Sequence, residues 1–133
     1  MSVLTAIVTQ NEEPNRRCQP DIAAPVLVDL AGERIDWLAA RLQAAPPGHL
    51  HLIQHTVAWQ YFPAEAQQRG QALIEAAGAK ATPDRPLAWL SMETDGDTTG
   101  KVGAALILRL WPGEITLDLG RADFHGRWVD WAG

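Results

Sequence analysis

The sequence predicts an α/β fold whose mixed β-sheet begins with alternating strands and helices and ends in an antiparallel meander. As far as Met92, apolar residues at helical spacing alternate with short apolar runs that are typical of buried strands. Beyond Met92, the segments between apolar runs are too short to hold a helix. The last strands must therefore reverse direction one after another.

The N-terminal quarter contains three segments of different character. Residues 1–9 are apolar without the basic start or cleavage site of a signal peptide, and they predict a strand. Residues 10–25 are polar and interrupted by prolines, which predicts an irregular segment. The short apolar run 26–28 predicts a buried strand. We treat residues 1–133 as one α/β domain, since this length is ordinary for a single domain.

Two amphipathic helices are predicted, one before and one after a central strand in the sequence. Apolar residues at helical spacing predict the first helix over residues 32–45 and the second over 63–78. Pro46 ends the first helix, and Pro63 suits the first position of the second because its missing N–H is not needed there. Between them, residues 49–55 alternate imidazole and aliphatic side chains and predict a strand.

Three further strands complete the predicted sheet. Residues 86–92 form an apolar run typical of a strand buried on both faces. Residues 104–111 and 115–119 flank a tight turn at Pro112 and Gly113, and they predict an antiparallel pair. Two reversals bring the last strand back to the direction of the central strands.

Composition excludes several classes of function. The chain of 133 residues has 11 Lys and Arg against 16 Asp and Glu, a formal net charge of -5. This balance argues against nucleic-acid and anionic-membrane partners, which clustered basic residues bind. Its one cysteine, Cys18, excludes an intramolecular disulfide and leaves either an inert or a reactive thiol. We expect a cytoplasmic protein.

The best candidate site combines His55, Glu93, Asp123 and His125. Strands that end near the first three run in the same direction, so these residues share the sheet edge where open α/β sheets bind ligands. Two imidazoles and two carboxylates could bind a divalent metal ion or serve as catalytic acid and base. Their spacing matches no compact metal motif, and no metal site is predicted. The alternative is structural: His125 donates to a backbone carbonyl, both carboxylates pair with Arg121 or Arg127, and His55 ends a strand.

Aromatic residues after the central strand offer a second candidate site. Trp59 and Tyr61 occupy a position suited to substrate binding, where an indole supplies stacking area and an N–H donor. The alternative is that the tryptophans fill the core. In that case we expect Trp37 and Trp89 to be buried and Trp59, Trp111 and Trp128 to be partly buried. We expect Trp128 and Trp131 to close the core at the C-terminus.

Two weaker patterns favour solvent-exposed roles. His49 and His51 would point to one face of a strand, an acceptable spacing for two metal ligands, but no third ligand is nearby in the sequence. A solvated strand face is the expected role. Asp95, Gly96 and Asp97 share part of a calcium loop without its glutamate, which favours a solvated turn.

Four segments carry a family resemblance: HTVAWQYFP from His55, PLAWLSME from Pro86, ALILRLWPG from Ala105 and LGRADFHGRWVDW from Leu119. In this order they resemble the C-terminal part of a family of uncharacterised bacterial proteins, domain of unknown function 2332. The resemblance extends from about Val26 to the end of the chain.

The resemblance implies a Rossmann-like fold of the class I methyltransferase type, of which this chain supplies the later half. Such enzymes bind S-adenosylmethionine on a glycine-rich turn after the first strand, and residues 11–25 contain no glycine. S-adenosylmethionine is therefore expected only if a partner chain or a missing N-terminal half completes the site. The resemblance also places Asp29 where a strand-terminal acid contacts adenine, with helix capping as the alternative.

Two classes of function follow. The first is a non-catalytic or incomplete methyltransferase-like module that acts in binding or assembly. The second is a methyltransferase-like or metal-dependent enzyme that uses the histidine and carboxylate edge site. A half-sheet leaves an open edge, and open edges favour pairing. We therefore expect a homodimer through that edge, with no nucleic-acid or membrane partner.

Overall fold

The structure, a computed structural model, describes residues 24–96 and 100–132. Over these residues it is a mixed α/β fold in which two α-helices accompany a five-stranded sheet. The strand predicted at 1–9 and nearly all of the irregular segment predicted at 10–25, including Cys18, lie outside the described residues.

The observed elements follow the predicted order from the first helix onward. A short 3₁₀ turn connects the first strand to the second helix. The bounds are α1 Ala24–Gln43, β1 His51–Thr56, the 3₁₀ turn Trp59–Tyr61, α2 Ala64–Ala79, β2 Leu87–Glu93, β3 Ala104–Trp111, β4 Ile115–Ala122 and β5 Val129–Trp131.

The strand predicted at 26–28 is wrong, because these residues belong to α1. The helical spacing that includes Ile35 and Leu38 extends upstream through Val28 and Ala31, so one continuous period covers the segment. Both Ile35 and Leu38 are fully buried. Short apolar runs do not distinguish strand from helix, and here the longer period decided.

The strand order is β1-β2-β3-β4-β5, and only β1 and β2 form a parallel pair. The predicted antiparallel meander is confirmed. The C-terminal ends of β1, β2 and β4 lie at the same edge of the sheet, as predicted. β5 was not predicted: it pairs with the end of β4, where Ala122 faces Val129.

Both helices pack on one face of the sheet. α2 contacts β2 and β3, and α1 packs against α2. Trp89 and Trp111 are 8% and 3% exposed and lie in this layer. The core between helices and sheet consists of Ile35, Leu38, Ile53, Phe62, Ile74, Leu87, Trp89 and Trp111.

Three tryptophans contradict the expectation that they would fill the core. Trp37 is 38% exposed because Ile35 and Leu38 occupy the buried stripe of α1, and its ring lies beside Arg41 instead. Trp128 is 39% and Trp131 60% exposed. These two lie just before and within β5, the edge strand farthest from β1.

Candidate functional site

A chain of hydrogen bonds joins three side chains of β1 and β2. Trp89 Nε1 donates to His55 Nε2 at 2.8 Å, and His55 Nδ1 donates to Glu93 Oε1 at 2.7 Å. An indole N–H can only donate, so the imidazole must accept at Nε2 and carry its proton on Nδ1. His55 is 1% exposed. Both nitrogens of the His55 ring are therefore hydrogen-bonded within the protein.

Glu93 also holds the chain that leaves β1. Its carboxylate accepts hydrogen bonds from the backbone N–H groups of Ala58, Trp59 and Gln60, over 3.0 to 3.3 Å. Immediately before them, Val57 has a φ of 46°, which is strained for a β-branched residue. The carboxylate thus fastens a strained turn to the edge of the sheet.

The pKa of Glu93 reflects two opposing influences. Burial raises it, but the hydrogen bonds from His55 and from the backbone of Ala58 and Trp59 outweigh burial and hold it below its ordinary value. The group therefore remains a carboxylate near neutral pH. A carboxylate accepts hydrogen bonds, as this turn requires, and is unsuited to act as a general acid.

The two aromatic candidates lie in different environments. The ring of Trp59 stacks on His55 with 4.9 Å between ring centroids, and it lies 5.6 Å from Trp89. A Cβ placed on Gly70 of α2 would approach the Trp59 ring to 2.5 Å, so the helix packs directly on the indole. Tyr61 is 73% exposed. Of the two, only Tyr61 offers most of its side chain to solvent; substrate binding by either stays a prediction.

Asp123 and His125 form a second, separate arrangement. The Asp123 carboxylate accepts hydrogen bonds from the backbone of His125 and from the guanidinium of Arg127, at 2.9 and 3.1 Å for the latter. The guanidinium, helped by backbone N–H groups and opposed by burial, holds the pKa of Asp123 well below its usual range. The pairing with Arg127 agrees with the structural alternative. His125 itself is exposed.

The four candidate residues thus share an edge without forming one cluster. β3 lies between β2 and β4, and it separates the His55 and Glu93 pair from Asp123. Across residues 24–96 and 100–132, no group of three or more histidine, cysteine or acidic side chains could hold a metal ion. A catalytic role for either pair stays a prediction.

Other candidates were placed differently from expectation. Asp29 lies within α1 and not at the end of a strand. His51 is 4% exposed, so the solvated strand face expected for it is wrong: its side chain points toward the helices. His49 precedes the strand and donates from Nδ1 to the Pro47 carbonyl at 2.9 Å.

Sequence reasoning named Arg121 only as a possible partner of Glu93 or Asp123, whereas in the structure it anchors the loop between β2 and β3 through Asp95. Its guanidinium makes two hydrogen bonds to Asp95, at 2.5 and 3.0 Å, and donates to the carbonyls of Val102 and Gly103. Asp97 lies outside the described residues. The only sequence signal for this contact was an arginine in a strand opposite an acidic loop. Many exposed arginines show the same pattern, so it does not identify the contact.

The face of the sheet opposite the helices is apolar. Ile53, Trp89 and Trp111 point toward the helices, and strand residues alternate, so their neighbours point the other way. On this opposite face, Gln54 and Thr56 at the end of β1 are the polar residues of the described strands, and none is charged. Its apolar residues, which we call the open face, are Leu52, Ala88, Leu90, Met92, Leu106, Leu108, Leu110, Ile115, Leu117, Val129 and Trp131.

No described helix covers the open face. Exposure rises toward β5: Ile115 is 48%, Leu117 41%, Val129 62% and Trp131 60% exposed. The five strands have three to eight residues each and lie about 4.8 Å apart, so at about 3.3 Å per residue they give a face of roughly 500 Å². The largest apolar patch on a typical monomer measures about 300–600 Å² and is often functional, and the open face is of this size.

Fold and surface together define a small mixed α/β domain with one helical layer and an open apolar face. The model of a family described as "uncharacterized protein conserved in bacteria (DUF2332)" matches residues 21–131. The chain belongs to this family, which confirms the resemblance seen in its sequence. Searches of curated proteins and of solved structures returned no match. In the described part of the chain, no helix is long and apolar enough to cross a membrane.

Proposed function

We propose that this chain is a binding or assembly module, and that the open face is its contact surface. The observation that carries the proposal is the continuous apolar, uncharged face formed by all five strands. Burying apolar surface contributes roughly 25 cal/mol per Å², so a face of this size is a strong driving force for association. Two residues in its middle, Leu108 and Leu117, are direct cross-strand neighbours.

The resemblance to a methyltransferase-like, Rossmann-like fold supports the same proposal. In doubly wound folds of that kind, helices cover both faces of the sheet. The described helices lie on one face only. A binding partner would then stand where the second helical layer stands in the complete fold.

We propose a second copy of the chain as the partner. Two open faces of roughly 500 Å² bury about 1,000 Å² together, which reaches the lower limit for a specific interface. An uncharged apolar face is complementary to itself, as a twofold interface requires. Sheets that pack face to face lie about 10 Å apart with interdigitated side chains. The face offers more apolar area than the edge strand β1, so we favour it over the edge for dimerisation.

Leu117→Glu tests the proposal. A carboxylate in the centre of a dry interface has no partner, so we expect the dimer to dissociate about 100-fold more readily. Sedimentation velocity at tens of micromolar measures the change: the wild type is expected to be a dimer and the variant a monomer. A wild-type chain that sediments as a monomer at this concentration contradicts the proposal.

Thr116→Glu is the matched control. Thr116 is also exposed and is adjacent to Leu117 in β4, but it lies on the face that carries the helices. The variant adds the same charge as Leu117→Glu, and we expect the dimer to persist. Dissociation of both variants to the same extent would show that added charge, not the open face, is responsible.

The enzymatic alternative receives no comparable support from the contacts. Both nitrogens of His55 and the carboxylate of Asp123 are engaged within the chain. Calorimetric titration of the purified protein with S-adenosylmethionine, and separately with zinc, tests it. We expect no heat of binding, and a saturable exotherm with either would restore the alternative.

A further inference from the structure

A cavity of about 400 Å³ lies at the opposite end of the sheet from Glu93. It is lined by α1, α2 and the first residues of β1 and β2, and it opens to solvent. Its volume is within the usual range of about 300–1,000 Å³ for small-molecule sites. The apolar part of its wall includes Ala39, Leu42, Leu73, Ala76, Ala77 and Leu87.

A buried polar group lines this cavity without a protein partner. His51 is 4% exposed, and its Nδ1 is buried with no hydrogen-bond partner among the described residues. Burial, together with the charge of Arg41, lowers the pKa of His51, so the ring is neutral near neutral pH. A buried polar atom without a partner costs about 1–3 kcal/mol. The His51 ring also lines the cavity, so it is a polar group to which a ligand there can bond.

The charge of the cavity wall is opposite to that of the chain. Among the described residues that line it, the charged side chains are Lys80 and Arg85, with His49 and His51 as imidazoles and no aspartate or glutamate. The chain as a whole carries 16 acidic residues against 11 basic ones. This local reversal favours an anionic ligand, whereas the alanine and leucine wall favours an apolar body.

We propose that this cavity binds a small organic carboxylate with an apolar tail. The tail packs against the Leu42 and Leu73 wall, and the carboxylate accepts a hydrogen bond from His51 near Lys80 and Arg85. The site is independent of the open face, which lies on the other side of the sheet.

Titration of the ¹⁵N-labelled full chain with octanoate tests the proposal by nuclear magnetic resonance. We expect saturable shifts at His51, Ala77 and Leu87. Octanol, which keeps the tail but lacks the charge, is expected to bind about tenfold more weakly, because a hydrogen bond to a charged group contributes more than one to a neutral group. The absence of saturable shifts, or shifts confined to the open face, would overturn the proposal.

Variants on α2 locate the binding. Ala76 lines the cavity from an exposed helix position, and Ala76→Phe fills the space, so octanoate binding should be lost. Ala72→Phe, also exposed on α2 but outside the cavity, should bind octanoate like the wild type. Lys80→Gln should weaken octanoate and leave octanol unchanged, a result that does not depend on how Ala76→Phe folds. Unaltered octanoate affinity in both Ala76→Phe and Lys80→Gln rules out this site.

Discussion

Glu93→Ala is expected to destabilise the fold by about 3–5 kcal/mol, since it leaves several buried N–H groups without their acceptor and each unsatisfied buried donor costs about 1–3 kcal/mol. The variant leaves the Nδ1 proton of His55 without its acceptor and removes the carboxylate that binds the backbone of Ala58, Trp59 and Gln60. The strained φ of Val57 then loses the contacts that hold it. Urea unfolding, followed by tryptophan fluorescence, measures the loss in the free energy of unfolding.

Two variants separate this network from a general effect of losing a glutamate. Glu93→Gln keeps an oxygen that can accept a hydrogen bond, so we expect a smaller loss of about 1–2 kcal/mol. Glu75→Ala removes a glutamate of α2 that pairs with Arg109 and is 43% exposed, and its loss should stay below about 1 kcal/mol. Equal losses for Glu93→Ala and Glu75→Ala would contradict the proposed clamp.

The same carboxylate gives the wild type a dependence on pH. Its pKa in the folded chain lies below the ordinary 4.5, so protons bind the unfolded chain more tightly. The stabilisation is complete above pH 4.5 and is lost as the pH falls through the lowered folded pKa. Glu93→Gln should lack this component, so its stability and that of the wild type should converge in acid. A difference that is independent of pH would contradict this assignment.

Gly78→Ala is expected to destabilise the fold by about 1–3 kcal/mol, even though alanine is the better helix former by about 1 kcal/mol. A Cβ at Gly78 would lie 2.5 to 2.7 Å from three atoms of the Trp111 indole. That ring is 3% exposed and lies beside the guanidinium of Arg109, so it has little room to move. Thermal unfolding followed by circular dichroism provides the measurement.

Gly32→Ala is a matched control with the opposite expected sign. Gly32 lies in α1, and a Cβ built there meets no atom within 4 Å. The variant gains helix propensity without a clash, so it should stabilise the fold by up to about 1 kcal/mol. If Gly78→Ala also raised the melting temperature, the close contact between α2 and Trp111 would be refuted.

These variants also bear on the proposed function. The His55 and Glu93 network and the Gly78 contact both lie on the helical side of the sheet, where we expect them to limit its motion. A stiff sheet presents the open face in one shape, and preorganised surfaces lose less entropy on association. Glu93→Ala should therefore weaken dimerisation as well as stability.

The sequence determined the elements whose signals are local. The helical period around Ile35 and Leu38, the proline at the start of α2 and the apolar runs of β1 to β4 all predicted the observed elements. The meander and its shared edge also followed, because the length of a connection limits the direction of the next strand. Local patterns failed at residues 26–28, where a short apolar run suits helix and strand equally.

The tertiary structure alone decided which of the candidate residues contact one another. Two side chains on neighbouring strands, such as His55 and Glu93, meet only when the register is set, and β3 keeps Asp123 apart from them. Packing likewise buried Trp111 and left Trp131 exposed, since the helices cover one face of the sheet and do not reach β5. Apolar residues occur on both faces of these strands, so the sequence does not show which face the helices cover. Only packing distinguishes the covered face from the open one.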